Sequence, residues 1–201
     1  KENAIFDILQ KFLDENLDFV IVGGYAVSAF KHRFSTDADI VVQSKDMEKF
    51  DSVLKKEGFT KTSEKELQNV YSSKFMRYEK ESASVDILID ALAARLTSAS
   101  FSYKLLLDNS IQKKIIGIEK EVFARVPIKE LLITMKLHSG RLTDFRDIAA
   151  LAIDTDLEVI KKFLFIGDLN LLQNNLNKLG KVVKDDNFVN STSNILLTSY
   201  E

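Results

Sequence analysis

From Leu17 to Val22 the chain is apolar apart from Asp18, and it stops at the pair Gly23-Gly24. A short apolar run closed by two glycines reads as a buried strand ending in a tight turn, and it fixes the frame for what surrounds it. Upstream, Ile5, Phe6, Leu9, Phe12 and Leu13 recur at helical spacing. Downstream, Tyr25 to Phe30 predicts a short helix, Asp37 to Val42 a strand, and Lys45 to Glu57 an amphipathic helix carrying Met47, Phe50, Val53 and Leu54. That is a strand, helix, strand, helix order.

Further along, Phe59 to Thr62, Val70 to Tyr78 and Ser84 to Ile89 are strand-like and suggest a meander added to that sheet. Ala91 to Leu107 predicts a helix, and Ile111 to Ile118 with Glu121 to Val126 a hairpin across Gly117. Pro127 stands where a first-turn helical proline belongs, ahead of Ile128 to His138, and the chain then reads as helices to about Lys184. Asp185 to Glu201 is rich in Asn and Ser and reads as a frayed tail. The single proline and seven glycines supply no linker, so boundaries come from periodicity: an α/β domain over 1–126, a helical region over 127–184 and a polar tail over 185–201. The fold class expected is α+β, a mixed sheet flanked by helices with a C-terminal helical region.

Composition excludes several functions. With 28 Lys+Arg against 30 Asp+Glu, the chain lacks the basic excess of a general nucleic-acid coat protein, although a local patch such as Lys113-Lys114, Lys120 or Lys161-Lys162 remains available. There is no cysteine, so thiol catalysis, disulfides and thiolate metal sites are out. The two histidines, His32 and His138, are too far apart in sequence for a compact zinc motif. The longest stretch free of charge, Asn187 to Tyr200, is shorter than the roughly 20 apolar residues of a membrane span. The first residues mix charged with apolar side chains and lack the core of a secretion signal, which makes the cytoplasm the expected compartment.

Two features carry chemistry. Gly23-Gly24 closes a strand and opens a helix, where backbone N–H groups can face an anion; a plain strand-to-helix turn is the alternative. Asp37-Ala38-Asp39 opens the next strand, and the period of two puts both carboxylates on one face about 6.6 Å apart along it. Such a pair repels itself unless cations hold it; otherwise both aspartates cap a solvated strand end. Asp86, bracketed by Val85 and Ile87, offers a third acid on a later strand, and Asp90 suits a helix N-cap for Ala91 onward.

Taken together, strand, Gly-Gly, short helix and Asp-x-Asp resemble the nucleotidyltransferase superfamily of the polymerase beta type. The stretch Arg33-Phe-Ser-Thr-Asp-Ala-Asp-Ile is similar to its small prokaryotic branch of AbiEii-like toxins, as is Leu131-Leu-Ile-Thr-Met-Lys-Leu-His-Ser-Gly-Arg-Leu-Thr-Asp-Phe-Arg-Asp-Ile. The resemblance implies a transferase that moves an NMP from an NTP to an acceptor hydroxyl with release of pyrophosphate. Asp37, Asp39 and Asp86 would bind Mg2+, or Mn2+ in its place, and Asp86 would help deprotonate the acceptor. Gly23, Gly24, Ser28 and Lys136 would contact the nucleotide. Ser28 is included because Tyr25, not a small hydroxyl residue, follows the second glycine. Lys136 falls inside an apolar arc, so it either pairs with Asp144 or Asp147 as a clamp or reaches a phosphate, the role favoured by the resemblance. Arg141 suits a salt bridge to the same aspartates, and His138 packing. Acceptors in view are an RNA such as tRNA or a protein, with an antitoxin as a further partner and no membrane. The rival reading is an inactive relative that binds nucleotide or a partner. The whole reading rests on these acids being gathered closely enough to share magnesium, and scattered side chains, or a basic residue already lodged among them, would overturn it.

Overall fold

The structure, a computed structural model, describes residues 1–66 and 74–197. It divides into two compact units, one made of Lys1–Ala93 and Ser100–Ile128, the other of Ala94–Ala99 and Lys129–Glu201.

In the first unit, helix α1 (Glu2–Asp14) buries Ile5, Phe6, Ile8, Leu9 and Phe12 along one stripe. Strand β1 (Val20–Val22) runs into α2 (Gly23–Ser28), followed by β2 (Ala38–Val42), a single 3-10 turn at Ser44–Asp46, and α3 (Met47–Lys56). Next come β3 (Thr60–Glu66), β4 (Lys74–Lys80) and β5 (Ala83–Ile89). Of the strand expected over Val70 to Tyr78, residues 70–73 lie outside the described residues. These strands form one sheet in the order β1-β2-β5-β4-β3, mixed because β2 and β5 are parallel and the remaining pairs antiparallel. This is the α+β class read from the sequence. Phe12, Phe19 and Phe50 close the core edge-to-face, with ring centroids 4.8 to 6.3 Å apart. Each such buried ring contributes roughly 1.5–3 kcal/mol of apolar transfer.

Ala91 to Leu107 is not one helix: it holds β6 (Ala91–Ala94), β7 (Ala99–Ser102) and the short α4 (Tyr103–Asp108). Asp90 explains the difference. It sits at φ 63°, turning the chain as it leaves β5, and its Oδ1 accepts the Ser44 N–H at 2.8 Å instead of capping Ala91. The hairpin across Gly117 forms as β8 (Ser110–Ile116) and β9 (Glu121–Pro127). Pro127 ends β9 opposite Ser110 rather than starting a helix, and the next helix begins two residues later at Lys129.

The second unit comprises α5 (Lys129–Ser139), α6 (Leu142–Leu151), α7 (Leu157–Leu164), α8 (Leu169–Val182) and α9 (Asp186–Leu197). Asp156 and Asp168 cap α7 and α8 through backbone N–H groups, as N-cap aspartates do. The segment read as a polar tail carries α9, anchored by buried Phe188 and Thr192. Ala94–Ala99 is held here by Thr97: its hydroxyl lies 2.8 Å from His138 Nδ1, and its carbonyl accepts the Asp168 N–H at 2.7 Å. Among the described residues, no helix is long and apolar enough to cross a membrane.

Candidate active site

Strand register brings the acids together. Asp39 on β2 pairs with Asp86 on β5, so their side chains leave the same face side by side. Asp37, just ahead of β2, is two residues from Asp39 and shares its side. Ala38 and Ile40 are fully buried while Asp37 and Asp39 are half-buried, which is the alternation the sequence predicts. Asp86 is 5% exposed.

The glycine turn lies against this row. Gly23 has φ 65°, and a Cβ there would collide with the Asp39 carboxylate; a Cβ on Gly24 would collide with the Ser35 hydroxyl. Both glycines are therefore needed for close approach, Gly23 also for its left-handed backbone. Ser35, which the sequence reading passed over, locks the approach to β2. Its hydroxyl donates to the Asp37 carbonyl at 3.1 Å, and its own carbonyl accepts from the Tyr25 hydroxyl at 3.2 Å. Burial, with the Glu2 and Asp37 charges adding to it, pushes the Tyr25 phenol above its usual range. Ser28 is buried and its hydroxyl donates to the Tyr25 carbonyl at 2.8 Å, within its own helix.

Arg77 changes the expected chemistry. It sits on β4 directly opposite Asp86. Its Nε donates to Asp86 Oδ1 at 2.7 Å and its Nη2 to Oδ2 at 2.6 Å, a fork on both oxygens, and Nη2 stands 3.6 Å from Asp37 Oδ2. The hydrogen bonds to Asp86 hold the guanidinium firmly in its charged form. A basic side chain is thus lodged among the acids. Among the described residues no group of three or more His, Cys, Asp or Glu is arranged to hold a metal ion. The three-acid magnesium cage expected of Asp37, Asp39 and Asp86 does not fit, because Arg77 holds both Asp86 oxygens; Asp37 and Asp39 are the two acids outside that fork. The signal for Arg77 was present in the sequence. A two-residue turn at Glu81-Ser82 pairs Lys80 with Ala83, and counting back three residues on each strand pairs Arg77 with Asp86.

The lysine motif is occupied within the helical unit. Lys136 is 7% exposed and lies 3.1 Å from Asp144 Oδ1 and 2.8 Å from Asp147 Oδ2. These are the two partners that the clamp alternative names. Arg141 completes it, with Nε 2.7 Å from Asp144 Oδ2 and Nη2 3.1 Å from Oδ1. Burial would raise the Asp144 pKa, but the Arg141 hydrogen bond and the Lys136 charge outweigh it and hold it at about 2. His138 is fully buried, which lowers its pKa and keeps the ring neutral.

No known family model matches the chain, and no curated protein matches it. Solved structures do. The antibiotic-resistance factor ANT(2'')-Ia, as its solution structure, aligns with a TM-score of 0.58 at 14% identity over 89% of this chain and 94% of its own. The crystal structure of ANT(2'')-Ia with adenylyl-2''-tobramycin gives 0.56 at 14% identity, over 89% of this chain and 99% of that one. The lincosamide antibiotic adenylyltransferase LnuA, lincomycin-bound, gives 0.50 at 20% identity, over 77% and 98%. At these identities the likeness establishes a shared fold.

Proposed function

We propose that the chain is a nucleotidyltransferase that moves an NMP from an NTP to an acceptor hydroxyl. The observation that carries this reading is the row in which Asp39 and Asp86 stand side by side on parallel strands, with Asp37 on the same face and the Gly23 turn pressed against Asp39. The fold shared with ANT(2'')-Ia, solved with adenylyl-2''-tobramycin, and with the lincosamide antibiotic adenylyltransferase LnuA supports it. Asp37 and Asp39 are the residues to hold a divalent cation, Mg2+ or Mn2+, which when bound supplies charge neutralisation for the triphosphate. Asp86 orients Arg77, and Arg77 adds a fixed positive charge beside Asp37. The Gly23-Gly24 turn serves the row by letting the Asp39 carboxylate and the Ser35 hydroxyl pack against its backbone. Positioning and electrostatics carry such a transfer, with no covalent intermediate on the protein.

The test measures pyrophosphate release from each of the four NTPs with Mg2+, against tRNA, a carrier protein, an aminoglycoside and a lincosamide. Turnover with at least one pair is expected, and Asp37→Asn or Asp39→Asn is expected to lower it by a factor of about 100 or more. Absence of release across the panel rejects the transfer reading.

Arg77 favours a second reading. A guanidinium that already pairs with these acids makes the cluster stable without any substrate, so an inactive module that binds nucleotide or a partner protein, such as an antitoxin, could retain it. Calorimetry with NTP and Mg2+ separates the two, because binding heat without pyrophosphate release selects the module.

A further inference from the structure

Three adjacent strands place Asp39, Asp86 and Arg77 in one lateral row, set by backbone register rather than by a flexible loop. Asp86 is the buried member, its side chain 7% exposed, while the Arg77 side chain is 37% exposed. The fork on Asp86 uses Nε and Nη2, and Nη2 also faces Asp37. Pulling Arg77 away from a carboxylate this buried would strand a charge inside the sheet. Lysine could not substitute, because a point ammonium cannot make the two parallel bonds. The exposure of the Arg77 side chain leaves part of it in contact with solvent.

Resting on the nucleotidyltransferase reading, we propose that Arg77 is a built-in cation that stands in for a second metal ion: the chain binds one divalent ion per nucleotide, and Arg77 supplies the other charge to the phosphates. Asp86 is then a positioning residue acting through Arg77, and not a metal ligand or a base.

The experiment counts Mn2+ by equilibrium dialysis and electron paramagnetic resonance on the chain of residues 1–201, with the α,β-methylene triphosphate of each nucleoside in turn. One Mn2+ per bound nucleotide is expected for the unaltered protein. Two per nucleotide would overturn the inference and leave the transferase reading intact, whereas no nucleotide binding with any base would overturn both. Arg77→Gln frees Asp86 and is expected to admit a second Mn2+; a folded variant that still takes one counts against the proposal. Should that variant not fold, Arg77→Gln with Asp86→Asn removes both charges together. It is expected to keep one Mn2+ and to bind the nucleotide about tenfold more weakly, as loss of an arginine–phosphate contact would require. Unchanged nucleotide affinity in the folded double variant refutes the role given to Arg77.

Discussion

Single residues decide how closely the acids are held. Gly23 has φ 65° and no room for a Cβ beside Asp39, so Gly23→Ala imposes both backbone strain and a displaced carboxylate. The backbone cost alone is about 1–2 kcal/mol. The variant is expected to show a lowered thermal midpoint and a loss of Mn2+ binding, and retention of wild-type Mn2+ affinity would remove Asp39 from the site. Asp37, Asp39 and the two glycines were legible because each is announced by local pattern: a strand stop, and a period of two with apolar neighbours. Arg77 was legible only by a further step, because its meaning depends on which residue lies opposite it across a hairpin and so on first fixing the turn. Ser28 shows the converse, a hydroxyl at a plausible spacing that spends its donor on its own helix.

At the scale of elements, α5 and α6 are joined through Lys136, Asp144 and Asp147, all buried. Removing one partner from a buried ion cluster costs more than deleting the whole cluster, because charge is left without its counterpart. Lys136→Met is therefore expected to destabilise the protein by about 3 kcal/mol in urea unfolding, with nucleotide affinity unchanged in the folded fraction. A drop in that affinity would return the lysine to phosphate binding. The sequence placed Lys136 inside an apolar arc but left both partners open, since helix periodicity says which face is buried and not what waits there. Ala91 to Ala94 failed for a related reason: an alanine-rich segment has helical propensity, yet Asp90, bonded to Ser44, delivers the chain into a strand.

For the whole molecule, acid is the condition that tests these groups together. Asp144 has a folded pKa of about 2 against roughly 3.9 in an unfolded chain, so its contribution is full above the higher value and is lost as pH falls through the lower. His138 is lowered from its ordinary 6.5 by burial, so the unfolded state takes up its proton first and stability declines as pH drops below that value. Both effects have the same sign. Urea midpoints at pH 8, 5 and 3 are expected to fall in that order, and a midpoint that rises between pH 8 and 5 would contradict the neutral, buried assignment of His138.

The excursion of Ala94–Ala99 into the helical unit has a consequence for inheritance by segments. Thr97 is secured to His138 and to the backbone of Asp168, both far downstream. A recombination event that exchanged everything after residue 128 for another protein's helices would leave these six residues facing strangers. Only an exchange that carried both pieces at once preserves the fit.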